Sequence, residues 1–166
     1  MIRARRVPPL LSRILGDGIY SVMLLTGEGE LLGNASTERS KKQHEGENIE
    51  DDIEEEQLDV ASVGALISEV AADYARAGRE LLPQDRQRRN ELDCLIVESG
   101  EGKFGRRHLI GVACCVTVQN DIYYIAAMAD PDVTGYGLLR ARLMALEGYV
   151  RESLNQIVGN GHPSQM

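Results

Sequence analysis

Residues 110–129 read IGVACCVTVQNDIYYIAAMA. Ile110, Val112, Cys114, Val116 and Val118 alternate with Gly111, Ala113, Cys115 and Thr117, the period of a strand that has two unlike faces. Gln119-Asn120-Asp121 supplies a turn, and 122–129 returns as a second apolar run. The stretch therefore reads as a β-hairpin. One face of its first strand is made of small residues, which predicts a helix lying close against it.

A second hairpin is expected over 19–34, where 19–26 is strand-like, Gly27-Glu28-Gly29 turns, and a second strand begins at Glu30. Before it, Val7, Leu10, Leu11 and Ile14 recur at i, i+3, i+4, i+7, one apolar face of a short helix. Pro8 and Pro9 suit only its first turn, and Gly16 and Gly18 end it. From Val60 helical spacing returns in Val63, Ile67, Val70 or Ala71, and Tyr74, with Gly78 suited to its end. Ala61, Ala65, Ala72 and Ala75 give this helix small residues on several sides, so it admits close neighbours on more than one face. Residues 92–98 form a strand with apolar character on both faces, through Leu92, Cys94 and Ile96 against Leu95 and Val97. A last helix from Leu138 carries the stripe Leu139, Leu143, Leu146, Val150, Leu154 and Ile157, and Gly159 and Gly161 stop it. The predicted order is α-β-β-α-β-β-β-α. Hairpins dominate it, so the fold class is α/β (α+β), an antiparallel sheet with helices on its faces.

The chain has 166 residues and reads as a single domain over 1–158 with a tail at 159–166. Its net charge is -8, but ten carboxylates and three cations between Ala35 and Val60 account for -7 of it. That stretch, an acidic insertion at about 35–59, has the composition of a flexible solvated loop. The remainder is nearly neutral, which argues against nucleic acid as a partner, because phosphate binding needs a concentrated basic face. Three cysteines without framework spacing suggest a reducing compartment. No run approaches the roughly 20 apolar residues of a membrane span, so no direct membrane insertion is expected.

The search for chemistry returns little. Residues 130–137, DPDVTGYG, open a helix with two glycines, and glycines at a helix N-terminus can cradle phosphate. In the Gly-rich loop of GNAT-type acetyltransferases, Gln/Arg-x-x-Gly-x-Gly/Ala, the first position is basic or amide, whereas here it is Asp132, and the loop reads more simply as a strand-to-helix connection in which Asp130, Asp132 or Thr134 helps cap the helix. Cys114 and Cys115 are adjacent in a strand, so their thiols point to opposite faces, and all three cysteines read as structural. His44, His108 and His162 lack partners at metal-ligand spacing. Arg86, Arg88 and Arg89, and Lys103, Arg106 and Arg107, read as solvated loop charges. The expectation is no catalytic, cofactor-binding or metal site.

Two stretches are similar to a known family. LLSRILGDGIYSVMLLTGEGELLG at 10–33 and TGYGLLRARLMALEGYVRESLNQI at 134–157 resemble the roadblock/dynein light chain family, most of all the roadblock subunits of Ragulator-type complexes, the late endosomal/lysosomal adaptors of TOR and MAP kinase signalling. The resemblance implies a five-stranded antiparallel sheet and a non-catalytic scaffold that works without a cofactor. It further implies a heterodimer with a second roadblock-domain subunit. Edge strands join into one sheet and the middle helices pack together. The matching elements here are 92–98 and 60–74, with Val63, Ile67, Val70, Ala71, Tyr74, Leu92, Cys94 and Ile96 as the implied dimer interface. Other implied partners are a lipid-anchored scaffold subunit and Rag-type GTPases, met at the cytoplasmic face of the late endosome or lysosome. Two alternatives stand beside this: a dynein-type roadblock light chain or other small-GTPase regulator, and a small acyltransferase using the 130–137 loop.

Overall fold

Every strand of the predicted hairpins enters one sheet. The computed structural model describes residues 7–37, 60–81, 92–100 and 107–159. The expected acidic insertion beyond Thr37, His44 and His162, the Arg86–Arg89 cluster, Lys103 and Arg106 lie outside these residues. In chain order the elements are α1 (Val7–Leu11) with a 3-10 turn (Ser12–Ile14), β1 (Ile19–Thr26), β2 (Leu31–Ser36), α2 (Val60–Leu81), β3 (Cys94–Ser99), β4 (His108–Val116), β5 (Ile122–Ala129) and α3 (Tyr136–Gly159). The sheet order is β2-β1-β5-β4-β3, with every neighbour antiparallel. This is the predicted order of elements and the predicted mixed α/β class.

Boundaries move where pairing outweighs composition. β2 runs on to Ser36, inside the expected insertion, because Ser36 pairs with Ser21 and the Thr37 N–H donates to the Tyr20 carbonyl at 2.9 Å. β4 starts early, at His108, where it pairs with Ser99, and it stops at Val116 because the Thr117 N–H turns back to the Asp121 carbonyl at 3.0 Å. α2 passes through Gly78 and ends at Leu81, since a glycine weakens a helix without stopping it. α3 begins at Tyr136, two residues ahead of the expected Leu138.

The two faces of β4 lead to two different cores. Leu109, Ala113 and Cys115 join α1 and the α3 stripe Leu139, Leu143, Leu146, Val150 and Leu154 in the larger core. The small face predicted from Gly111 and Ala113 is the face that meets α3: a Cβ on Gly111 would stand 2.4 Å from Leu143 Cδ1. Fully burying a leucine is worth about 1.5–3 kcal/mol, so this seam contributes much of the stability. Val112 points the other way, with Met23, Leu25, Tyr124 and Ala126, into a smaller core under α2. Arg142 of α3 ties down the link after α1, donating to the carbonyls of Ile14 (3.3 Å) and Gly16 (3.5 Å) and pairing with Asp17.

Candidate functional site: the outer face of helix α2 and the β3 edge

α2 is amphipathic in an unusual way. Its inner side buries Gly64, Ile67, Ser68 and Ala71. Gly64 lets the helix sit low, since a Cβ there would stand 2.6 Å from Leu25 Cδ2. A second apolar stripe is turned from the buried one by about a third of a turn at 3.6 residues per turn. It consists of Leu66 (60% exposed), Val70 (38%), Tyr74 (54%) and Leu81 (84%). A surface helix of a monomer normally carries polar residues there. The inner side is thin in return: the Ser68 hydroxyl is buried with no hydrogen-bond partner among the described residues. α2 lies chiefly over β1, β2 and β5. On the same face Leu95, Ile110, Cys114 and Met128 are only half-buried.

β3 is the last strand of the sheet and pairs with β4 alone among the described strands. Its outer N–H and C=O groups form the kind of edge that accepts another strand. Val97 on it is 39% exposed. A polar network fixes its far end. Arg107 donates to Glu98 and to Asp132, each at 2.8 Å, and the Tyr136 hydroxyl donates to Glu98. That hydrogen bond holds the Tyr136 phenol above its ordinary pKa.

The eight predicted interface residues divide between these places. Val70 and Tyr74 point outward on α2. Ile67 and Ala71 are buried against the protein's own sheet, and Val63 is half-buried on the same cluster. Leu92 precedes β3 and packs half-buried on that cluster too. Cys94 and Ile96 lie on the edge strand but pack toward α3. Leu66, Leu81 and Val97 were not among the predicted residues. Leu66-x3-Val70-x3-Tyr74 is legible as its own i, i+4, i+8 series beside Val63-x3-Ile67-x3-Ala71.

The other candidate features have structural surroundings. In the 130–137 loop, the Asp130 carboxylate accepts the Asp132 N–H at 2.9 Å and the Thr134 hydroxyl donates to the Asp17 carbonyl at 2.6 Å. These side chains fasten the connection instead of capping α3 as expected. Cys115 is fully buried on the α3 side and Cys114 half-buried on the other, as strand alternation requires. Burial and the neighbouring Glu147 carboxylate push the Cys115 thiol up to about 12. A shallow concavity of about 610 Å³ lies on α3, lined by Gly148, Arg151, Glu152, Asn155 and Gln156. Among the described residues no three His, Cys, Asp or Glu side chains gather to hold a metal ion, and no helix is long and apolar enough to cross a membrane.

No protein-family model matches the chain. Among solved structures it is similar to MglB with tetrameric arrangement, with a TM-score of 0.57 at 12% identity, over 95% of this chain and 90% of that chain. At that identity the likeness is one of fold. The five-stranded antiparallel sheet with flanking helices is a roadblock/longin-like fold.

Proposed function

We propose that this chain is a non-catalytic adaptor subunit that works by pairing with a second roadblock-type domain. The observation that carries the reading is the α2 stripe, Leu66, Val70, Tyr74 and Leu81, exposed in the isolated chain, beside which stands a sheet edge, β3, that pairs on one side only among the described strands. Contiguous exposed apolar surface of this kind marks a protein interface. A partner that adds its own edge strand to β3 satisfies the edge, and its middle helix covers the stripe. The sequence likeness at 10–33 and 134–157 supports a finer assignment, a Ragulator-type scaffold that gathers Rag-type GTPases at the late endosomal or lysosomal surface for TOR and MAP kinase signalling. In that assignment membrane attachment comes through a lipid-anchored scaffold subunit. Affinity purification of the full chain from its native cells, read by mass spectrometry, tests this. Recovery of a second roadblock protein together with Rag-type GTPases is the expected result. Recovery of neither defeats the assignment.

The tetrameric arrangement of MglB favours a second reading. In it the chain self-associates through the same surfaces as a dynein-type light chain or another small-GTPase regulator. Sedimentation of the purified chain separates the two. A stable homodimer or tetramer supports self-association, and a monomer that becomes stable only on co-expression with its partner supports the heterodimer.

A further inference from the structure

The β1–β2 and β4–β5 turns meet at one end of the sheet. The Gly27 N–H donates to the Ile122 carbonyl at 2.8 Å, and a Cβ on Gly27 would stand 3.2 Å from Ile122 Cβ, so the two turns are in contact. The second turn is held in place. Its Val118 N–H donates to Asn155 Oδ1 of α3 at 3.1 Å, the Asp121 N–H to Thr117 Oγ1 at 3.2 Å, and the Asn120 N–H to the Thr117 carbonyl at 3.0 Å.

On this platform Val118 is 72% exposed and Ile122 42% exposed. Turns favour Gly, Asn, Asp and Ser for conformational reasons, and none of those reasons calls for a β-branched aliphatic side chain. Within the two turns the charge has one sign, and the nearby Arg151 of α3 is paired with Glu147. Glu28, Glu30 and Asp121 are exposed, and none is in an ion pair with another described residue. Residues 26–31 and 117–122 contain no Lys or Arg. The opposite end of the sheet differs: Arg107 bridges Glu98 and Asp132 there, and Arg142 holds Asp17. The tip also projects beyond the β3 edge. β3 starts at Cys94 opposite Ala113, so Val116 and its partner Ile122 lie past the start of that strand.

We infer that this hairpin-tip surface docks a cationic amphipathic segment of a partner protein, its aliphatic side chains against Val118 and Ile122 and its lysines or arginines toward Glu28, Glu30 and Asp121. Single exposed ion pairs contribute little, but three unopposed carboxylates steer a cationic segment and set its orientation. The surface borders the face proposed for pairing, since a Cβ on Gly29 would stand 3.2 Å from Ala65 Cα of α2, but it uses none of the stripe residues.

The test uses the isotope-labelled full chain and a synthetic helical peptide with one leucine face and one lysine face. Amide resonances of 27–30 and 118–122 are expected to shift on titration. The double variant Val118→Ser/Ile122→Ser and the triple variant Glu28→Lys/Glu30→Lys/Asp121→Lys should each weaken binding about tenfold or more. Both should keep the parent melting temperature, because all five side chains are exposed. Exchanging the peptide's lysines for glutamates should abolish binding to the parent and restore it to the triple variant. The inference is overturned if the shifts fall only on α2 or on residues 38–59. It is equally overturned if a peptide with serines in place of its leucines binds as tightly.

Discussion

Gly111 lies directly beneath Leu143: a Cβ on the glycine would stand 2.4 Å from Leu143 Cδ1 and 3.1 Å from Leu139 Cδ2. Both leucines are fully buried, so neither can swing away into solvent. Gly111→Ala should therefore cost about 1–3 kcal/mol through overpacking. Chemical denaturation measures this. Leu143→Ala opens space at the same point, so the double variant should lose less than the sum of the two single losses. Strict additivity would mean that the two residues do not share a contact.

Adjacent residues on α2 should fail in different ways. Ile67 is 8% exposed and sits in the protein's own core, whereas Leu66 is 60% exposed on the outer stripe. Ile67→Asp puts an unpaired charge in that core and should leave the chain misfolded or insoluble. Leu66→Asp should fold with its circular dichroism and melting temperature little changed, and should lose association with the partner. Intact pairing by Leu66→Asp would remove the outer stripe from the interface.

This contrast also marks how far the sequence could be read. The alternation of 110–116 determined both the antiparallel hairpin and the side on which α3 packs, because a face made of Gly111 and Ala113 has room only for a close helix. The outer face of α2 was harder to read. Val63, Ile67 and Ala71 and the series Leu66, Val70 and Tyr74 follow the same spacing, and periodicity alone does not say which series meets the sheet. Gly64 decides it, by admitting Leu25 beside Ile67. The sides chosen by Cys94 and Ile96 were equally hidden, since β3 is apolar on both faces. The 130–137 loop was read as far as a connection, but the Thr134–Asp17 bond joins residues 117 positions apart, beyond any local rule.

Arg142 should matter more through the backbone than through its ion pair. It reaches the carbonyls of Ile14 and Gly16 as well as the Asp17 carboxylate, and its side chain is 27% exposed against 68% for Asp17. Hydrogen bonds from a charged donor contribute about 1.5–3 kcal/mol, and an exposed ion pair at most about 1 kcal/mol. Arg142→Met keeps much of the aliphatic stem and should destabilise the chain clearly, with faster amide exchange at the start of β1. Asp17→Asn should change stability little. Equal losses from the two variants would place the contribution in the salt bridge.

Cys115 should be inert and should make the fold sensitive to alkali. Its thiol is fully buried, and burial first, then the Glu147 carboxylate that accepts its S–H, push it from the ordinary 9.0 to about 12, with Arg151 opposing part of the shift. The thiolate is the reactive form, so alkylation at pH 8 should label Cys115 far more slowly in the native chain than in denaturant. The sign of the pH effect follows from the direction of the shift. Below about pH 9 the thiol is protonated in both folded and unfolded chains, and its contribution to stability is fully present. Between about pH 9 and 12 the unfolded chain gives up this proton first, so stability falls as pH rises, by at most about 1.4 kcal/mol per pH unit. Cys94, also raised by burial, adds to the same slope. Urea denaturation at several alkaline pH values should show a shallower fall for Cys115→Ala than for the parent. An identical slope in the two, or rapid native labelling at pH 8, would show that the Cys115 thiol is open to solvent.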